Sequence, residues 1–149
     1  MTTIERPRTH DVPVRRLHDA RLRAWCGLLL GAVLIQVLLG AANVSWLDVP
    51  ENGDAETGSS PRWLLEAHAW FGTAVVVAAI VLLVLAIRSH DRGWIVVAAV
   101  GLVGLVLALA SGDRYVRSHG TEEWASMAMA CGAVIALAAY TVGTSRRRS

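Results

Sequence analysis

The chain contains no lysine: all 14 of its basic residues are arginine, set against 12 acidic ones for a net charge of +2. It has two cysteines, one phenylalanine, two tyrosines and four prolines, and only 17% of its 149 residues are charged. Each scarcity removes a class of protein. Cys26 and Cys131 lie in different apolar segments at opposite expected depths, beyond disulfide reach, so they read as two buried free thiols. No Cys or His sits at ligand spacing from another, which removes a zinc site. No P-loop, GxSxG, HExxH or dinucleotide fingerprint is present, and soluble hydrolase or transferase chemistry goes with them. Pro7, Pro13, Pro50 and Pro61 all fall outside the apolar runs, so the broken spans that build transporter pathways are missing.

What fills the chain instead is aliphatic. Hydrophobic residues make up 54%, aromatics only 6%, and the mean hydropathy is +0.47. That weight on Ala, Val, Leu, Ile and Gly is the composition of lipid-facing helices rather than of a soluble core. Four runs carry it: 25–42, 63–87, 93–110 and 124–142. At about 1.5 Å per helical residue each is long enough to cross a hydrocarbon layer of about 30 Å. The runs predict an all-α fold, an integral membrane four-helix bundle with short loops and both ends on one side. Its spanning domain covers 24–144, between a basic arm over 1–23 and a basic tail over 145–149.

Orientation follows from the arginines. With the chain starting inside and crossing four times, eleven fall inside and three outside, and the positive-inside rule places both termini in the cytoplasm. Splitting all charges the same way turns +2 into +7 inside and −5 outside. This accounts for the arginine-rich ends without invoking nucleic acid. Trp25, Trp94 and Tyr140 fall at the expected inner boundary, and Trp46, Trp63 and Trp124 at the outer, where amphipathic rings prefer to lie. The all-arginine usage points to a GC-rich bacterial genome, and so to a bacterial plasma membrane.

The first run is too long for a signal-peptide core and reads as a retained helix. The arm from Met1 to Asp19 is expected to be mobile or to lie on anionic headgroups. Asn43 to Arg62 reads as an acidic loop, Arg88 to Arg92 as a tight basic turn, and Ser111 to Glu123 as a mixed loop. In that loop Asp113, Arg114 and Arg117 are expected to ion-pair at the surface. Small residues at four-residue spacing offer packing stripes: Gly27 with Gly31, Gly104 with Ala108 and Gly112, and Ala128 with Gly132 and Ala136. Gly72 and Ala79 mark one face of the second run. Such stripes suit packing within the chain or a homo-oligomer. The step Ala69–Gly72 also resembles Met129–Gly132, as a duplicated helix pair would, which places Ala128 opposite His68.

Polar groups inside a span are expensive, and each is a candidate for function. His68 stands five residues past Trp63, with Glu66 half a turn before it. Gln36 lies within the first run, and His119 just before the fourth. A neutral imidazole there ligates haem iron, shuttles a proton or hydrogen-bonds a neighbouring helix. For a lone His the last role is the more common. Glu66 shares its face with Trp70 and suits the dipole of a helix start without further purpose. Gln36 fits an interhelical hydrogen bond, and His119 a solvated loop. His10, His18 and His90 read as exposed.

Gln36-Val37-Leu38-Leu39-Gly40, an outer loop, then Glu66-Ala67-His68 resembles the pattern in one four-helix half of the haem A synthase family and of small four-helix membrane proteins like it in appearance. The resemblance covers about Leu28 to Ala69 plus the topology. It implies a haem-site scaffold with His68 as axial ligand and Glu66 as a site acid. Glu66 and His68 stand closer together than the family's pair, and the fourth run, Trp124 to Cys131, has no His; Met127 or Met129 is the soft alternative ligand there. Two readings therefore stand. One is a small haem b protein or haem handler, with Gln36, Glu66, His68 and His119 around the cofactor and His68 on the metal. The other is a non-catalytic accessory or assembly subunit of a larger membrane complex, in contact with the lipid bilayer and partner subunits.

Overall fold

The computed structural model describes residues 11–46, 62–118 and 121–146, and among them every regular element is helical. The helices are α1 (Asp11–Trp46), α2 (Arg62–Ser89), α3 (Arg92–Arg117) and α4 (Glu123–Ser145). All four are long and apolar enough to cross a membrane. They run alternately up and down in a ring, α1 against α2, α2 against α3, α3 against α4 and α4 against α1. The most extensive contact is between α3 and α4. Both described chain ends and the α2–α3 turn share one end of the bundle, called here the termini side.

Three expected boundaries moved. One is the end of α1, which runs through Trp46 where the acidic loop was expected from Asn43; the remainder of that expected loop, 47–61, lies outside the described residues. α1 begins at Asp11, so the latter half of the expected mobile arm is helical, and Pro13 is accommodated because the first turn has no intrahelical N–H bond to lose. α3 continues through Ser111–Arg117, which composition had marked as loop. There the helix is supported by an Asp113–Arg117 ion pair one turn apart, Arg117 Nε to Asp113 Oδ2 at 2.9 Å. Gly112 also lets the helix approach Met129, whose Sδ would lie 3.3 Å from a Cβ at that position. The Arg88–Arg92 turn is as tight as expected. His90 takes a left-handed φ of 56°, and Asp91 caps α3 by accepting from the Gly93 and Trp94 amides at 2.8 and 3.3 Å.

The core draws on all four helices, with Leu29 and Val33 of α1, Ala79 and Leu82 of α2, Trp94 and Ala98 of α3 and Ala136 and Tyr140 of α4 buried in one cluster. The α3–α4 seam is its tightest part. Gly104 and Gly132 meet backbone to backbone. A Cβ on Gly104 would stand 2.6 Å from the Gly132 carbonyl oxygen, and one on Gly132 would stand 2.5 Å from the Gly104 oxygen. The expected stripes of α3 and α4 are thus used, and reciprocal Cα–H···O contacts come with so close an approach. Gly27 and Gly31 are not used in this way. The nearest neighbour to a Gly27 Cβ is a Thr144 methyl at 3.9 Å, and Gly31 faces open space.

Three aromatic and thiol expectations are corrected. Trp94 and Tyr140 do not lie on the lipid-facing boundary; they are buried in the core, at 3% and 0% exposure. Trp94 donates from Nε1 to Asp19 Oδ1 at 3.2 Å, and the Arg146 guanidinium lies 5.0 Å from its ring centroid. Arg146 also reaches Asp91 at 3.5 Å. Asp19 of α1, Asp91 and Trp94 around the start of α3, and Arg146 after α4 thereby tie three helices together on the termini side. Cys26 is buried and Cys131 exposed, both free. Trp63 and Trp124 are exposed as expected, and the side chain of Trp46 lies outside the described residues.

Tyr140 lies against Gly101, and its buried hydroxyl has no hydrogen-bond partner among the described residues. An unsatisfied hydroxyl in an apolar site is a standing cost. Tyr140→Phe keeps the ring and removes that cost. It is expected to raise stability by about 1 kcal/mol, read as a later midpoint in detergent unfolding.

At the opposite end the α3–α4 connection is closed by charge. Arg114 holds Glu122 in a two-pronged hydrogen bond, Nε to Oε2 at 2.6 Å and Nη2 to Oε1 at 3.0 Å, and lies 5.3 Å from the Trp124 ring centroid. The outer ion pairing anticipated for Asp113, Arg114 and Arg117 therefore occurs, with Glu122 as the second acid. The hydrogen bond from Arg114 is the chief cause that holds the Glu122 carboxyl below the usual carboxylate range. A depressed carboxyl stabilises the fold above its unfolded pKa and loses that contribution as pH falls through the folded value. Glu122→Gln should accordingly lower the unfolding midpoint slightly at neutral pH, and by nothing once the pH is well below about 4. A difference that persists unchanged in acid would show that charge is not its source.

Candidate functional site

The polar residues singled out in the sequence do not all assemble. Gln36 of α1 and His68 of α2 meet across the helix seam. Gln36 Nε2 donates to the His68 main-chain oxygen at 2.9 Å and lies 3.2 Å from His68 Nε2. A carbonyl oxygen only accepts, so it is the amide nitrogen of Gln36 that faces α2. Its second proton is then directed at the imidazole, which makes His68 Nε2 the acceptor and places the ring proton on Nδ1. The hydrogen-bond network thus assigns His68 as a neutral, Nδ1-protonated imidazole.

The sequence builds this contact from a repeated local device. Gly40 follows Gln36 by four residues, and Gly72 follows His68 by four, so each glycine shares a helix face with its polar residue. A Cβ on Gly40 would lie 3.2 Å from His68 Cε1, and one on Gly72 would lie 2.7 Å from Gln36 Nε2. Each polar side chain thus occupies the hollow beside the other helix's glycine. With the helices antiparallel, Q-x-x-x-G and H-x-x-x-G form a reciprocal clasp. Two atoms of it, Gln36 Oε1 and His68 Nδ1, are buried with no hydrogen-bond partner among the described residues.

Glu66 is not part of the clasp. It lies two residues before His68, on the opposing side of α2, and is exposed like Trp70 beyond it. His119 lies outside the described residues, as does His10; His18 and His90 are exposed as expected. Among the described residues no three His, Cys, Asp or Glu side chains converge as metal ligands would. Gln36 matches its expected role, an interhelical hydrogen bond. The glycines at 40 and 72 were not singled out together, although their shared i+4 offset from Gln36 and His68 was the signal available. Gly72 packs on α1 and Gly132 on α3, so the resembling steps of the two hairpins serve the same position.

No family model, curated protein or solved structure matches the chain.

Proposed function

We propose that the chain is a multi-pass protein of a bacterial plasma membrane, with both termini in the cytoplasm, that works as a non-catalytic accessory or assembly subunit of a larger membrane complex. The observation carrying this reading is that Gln36 and His68, two polar side chains within the candidate spans, are engaged with each other. The pair closes a helix seam, and among the described residues no three His, Cys, Asp or Glu side chains gather as metal ligands would. A chain of this kind offers shape and apolar surface rather than chemistry. The test is to tag the full chain, extract native membranes in a mild detergent and measure what is retained. Stoichiometric co-purification with other membrane proteins is expected, and a monodisperse, partner-free species overturns the reading.

A second reading, haem b on His68, draws on how lightly the ring is held. One side-chain hydrogen bond, from Gln36, holds the imidazole, and its loss would free the Nε2 lone pair that haem iron takes. As packed, that lone pair is capped and the hollow at Gly72 is filled by Gln36, so the present arrangement does not fit the group. Reduced-minus-oxidised spectra of protein prepared with haem supplied separate the two readings. The subunit reading expects no Soret or alpha band. A band lost in His68→Ala establishes the haem protein in its place.

A further inference from the structure

The α1–α2 seam is closed at the Gln36–His68 clasp and opens below it, toward the termini side, into an apolar groove. Its walls include Trp25, Leu28 and Ala32 of α1 and Phe71, Ala74 and Ala78 of α2. The clasp fixes the antiparallel register, so seven residues from it Leu29 and Val75 stand level, both buried at the groove floor. Followed toward the termini, the outer rim of the groove reaches two arginines. Arg21 lies seven residues before Leu28, and Arg88 fourteen residues after Ala74. Both spacings return a helix to nearly the same face, and all four residues are exposed.

In that register Arg88 sits five residues beyond Arg21, about 7.5 Å along the bundle. Helical side chains tilt toward their own N-terminus. Arg21 is therefore directed outward to the termini side, and Arg88 back toward it, which brings the two guanidinium groups toward one level. Neighbouring Arg23 shows the same direction, its Nε reaching back to the Asp19 main-chain oxygen at 3.3 Å. Arg114, Arg117 and Arg146 are held in ion pairs, whereas Arg21 and Arg88 pair with no carboxylate among the described residues.

We infer that this groove is a binding site for one anionic phospholipid from the termini-side leaflet, its phosphate between Arg21 and Arg88 and one acyl chain along the groove. The dimensions fit that occupant. From Arg21 to Ala32 is about 16 Å of helix, close to the half-thickness of a hydrocarbon core of about 30 Å, and the clasp blocks anything deeper. The walls carry no charged group, and the two unpaired cations stand where the headgroup of such a chain emerges. A free phosphate leaves the groove unused, and a neutral lipid leaves the arginines unpaired.

The test uses the full chain in detergent micelles, with native mass spectrometry counting bound lipid during titration with phosphatidylglycerol or phosphatidylcholine. One phosphatidylglycerol per chain is expected, retained about ten-fold better than phosphatidylcholine. Arg21→Gln with Arg88→Gln should abolish that preference, and Ala74→Leu, which narrows the groove from an exposed position, should weaken retention of both lipids. Arg92→Gln, an equally exposed arginine off the groove, should change nothing. Equal retention of the two lipids by the unaltered chain, an equal loss in Arg92→Gln, or displacement of the lipid by millimolar inorganic phosphate alone overturns the assignment.

Discussion

Gly132→Val is expected to lower stability by about 3 kcal/mol, the upper part of the range for overpacking a filled site. The cause is the crossing of α3 and α4. A first methyl at Gly132 already stands 2.5 Å from the Gly104 carbonyl oxygen and 2.7 Å from the Ala108 nitrogen. Both are backbone atoms, so no side chain can rotate out of the way and the helices themselves must part. Separation also forfeits the close packing that holds helices together in lipid, where the hydrophobic effect between them is weak. Gly132→Ala should cost less, about 1–2 kcal/mol, because roughly 1 kcal/mol of gained helix propensity offsets the clash. Gly104→Ala meets the same obstacle from the other side, at 2.6 Å from the Gly132 oxygen, so the double alanine variant should cost less than the sum of the two. Gly31→Val supplies the control, since nothing stands within 4 Å of a Cβ there. Unfolding titrations in mixed micelles, followed by helicity, read these differences; a Gly132→Val midpoint equal to that of Gly31→Val would falsify the account of the seam.

Gln36→Ala should cost about 2 kcal/mol by two routes at once. It removes the donor to the His68 oxygen and Nε2, leaving the ring nitrogen without a partner in an apolar layer. It also empties the hollow beside Gly72, and a void costs in proportion to what it fails to contact. Interhelical hydrogen bonds inside bilayers are often worth less than about 1 kcal/mol, because separated helices find other partners. The hydrogen bonds alone would therefore fall short, and the lost packing at Gly72 makes up the difference. Gln36→Leu separates the routes, restoring volume but not the donor, and should recover part of the loss. His68→Ala removes the orphaned group from the other side. Combined with Gln36→Ala it should give a double variant less impaired than additivity requires, with a coupling of at least about 0.5 kcal/mol. Strict additivity would mean that the two side chains do not support one another.

The spans, their order and the α2–α3 turn were legible because apolar length and breaks in it are properties of the sequence read one residue at a time. Azimuth was not. Trp94 and Tyr140 lie near the ends of their apolar runs, yet both face inward, because Asp19 and Arg146 draw one and Gly101 makes room for the other. Gly27 with Gly31 and Gly104 with its stripe look alike on paper; only the second has a glycine facing it from another helix. Ser111–Arg117 reads as loop because a helix end emerging toward water needs no apolar periodicity, only local support such as Asp113 with Arg117. At the candidate site Gln36 and His68 were each visible as costly residues. Their pairing was hidden, since it depends on the register of two helices joined by a long connection, and the matching glycines are the only written trace of it.

The reciprocal clasp and the glycine crossing close the two hairpins by unlike means, and this divides the molecule in time as well as in space. A backbone-on-backbone seam has no intermediate arrangement: α3 and α4 are either in contact or apart. At the clasp, where one amide meets one imidazole, the α1–α2 seam loosens through rotation of two side chains, far faster and with less loss of packing. Amide protons of α3 and α4 should therefore exchange only through concerted opening, while those flanking Gln36 and His68 exchange through brief local excursions. Local opening of the ring is thus expected first at the α1–α2 clasp.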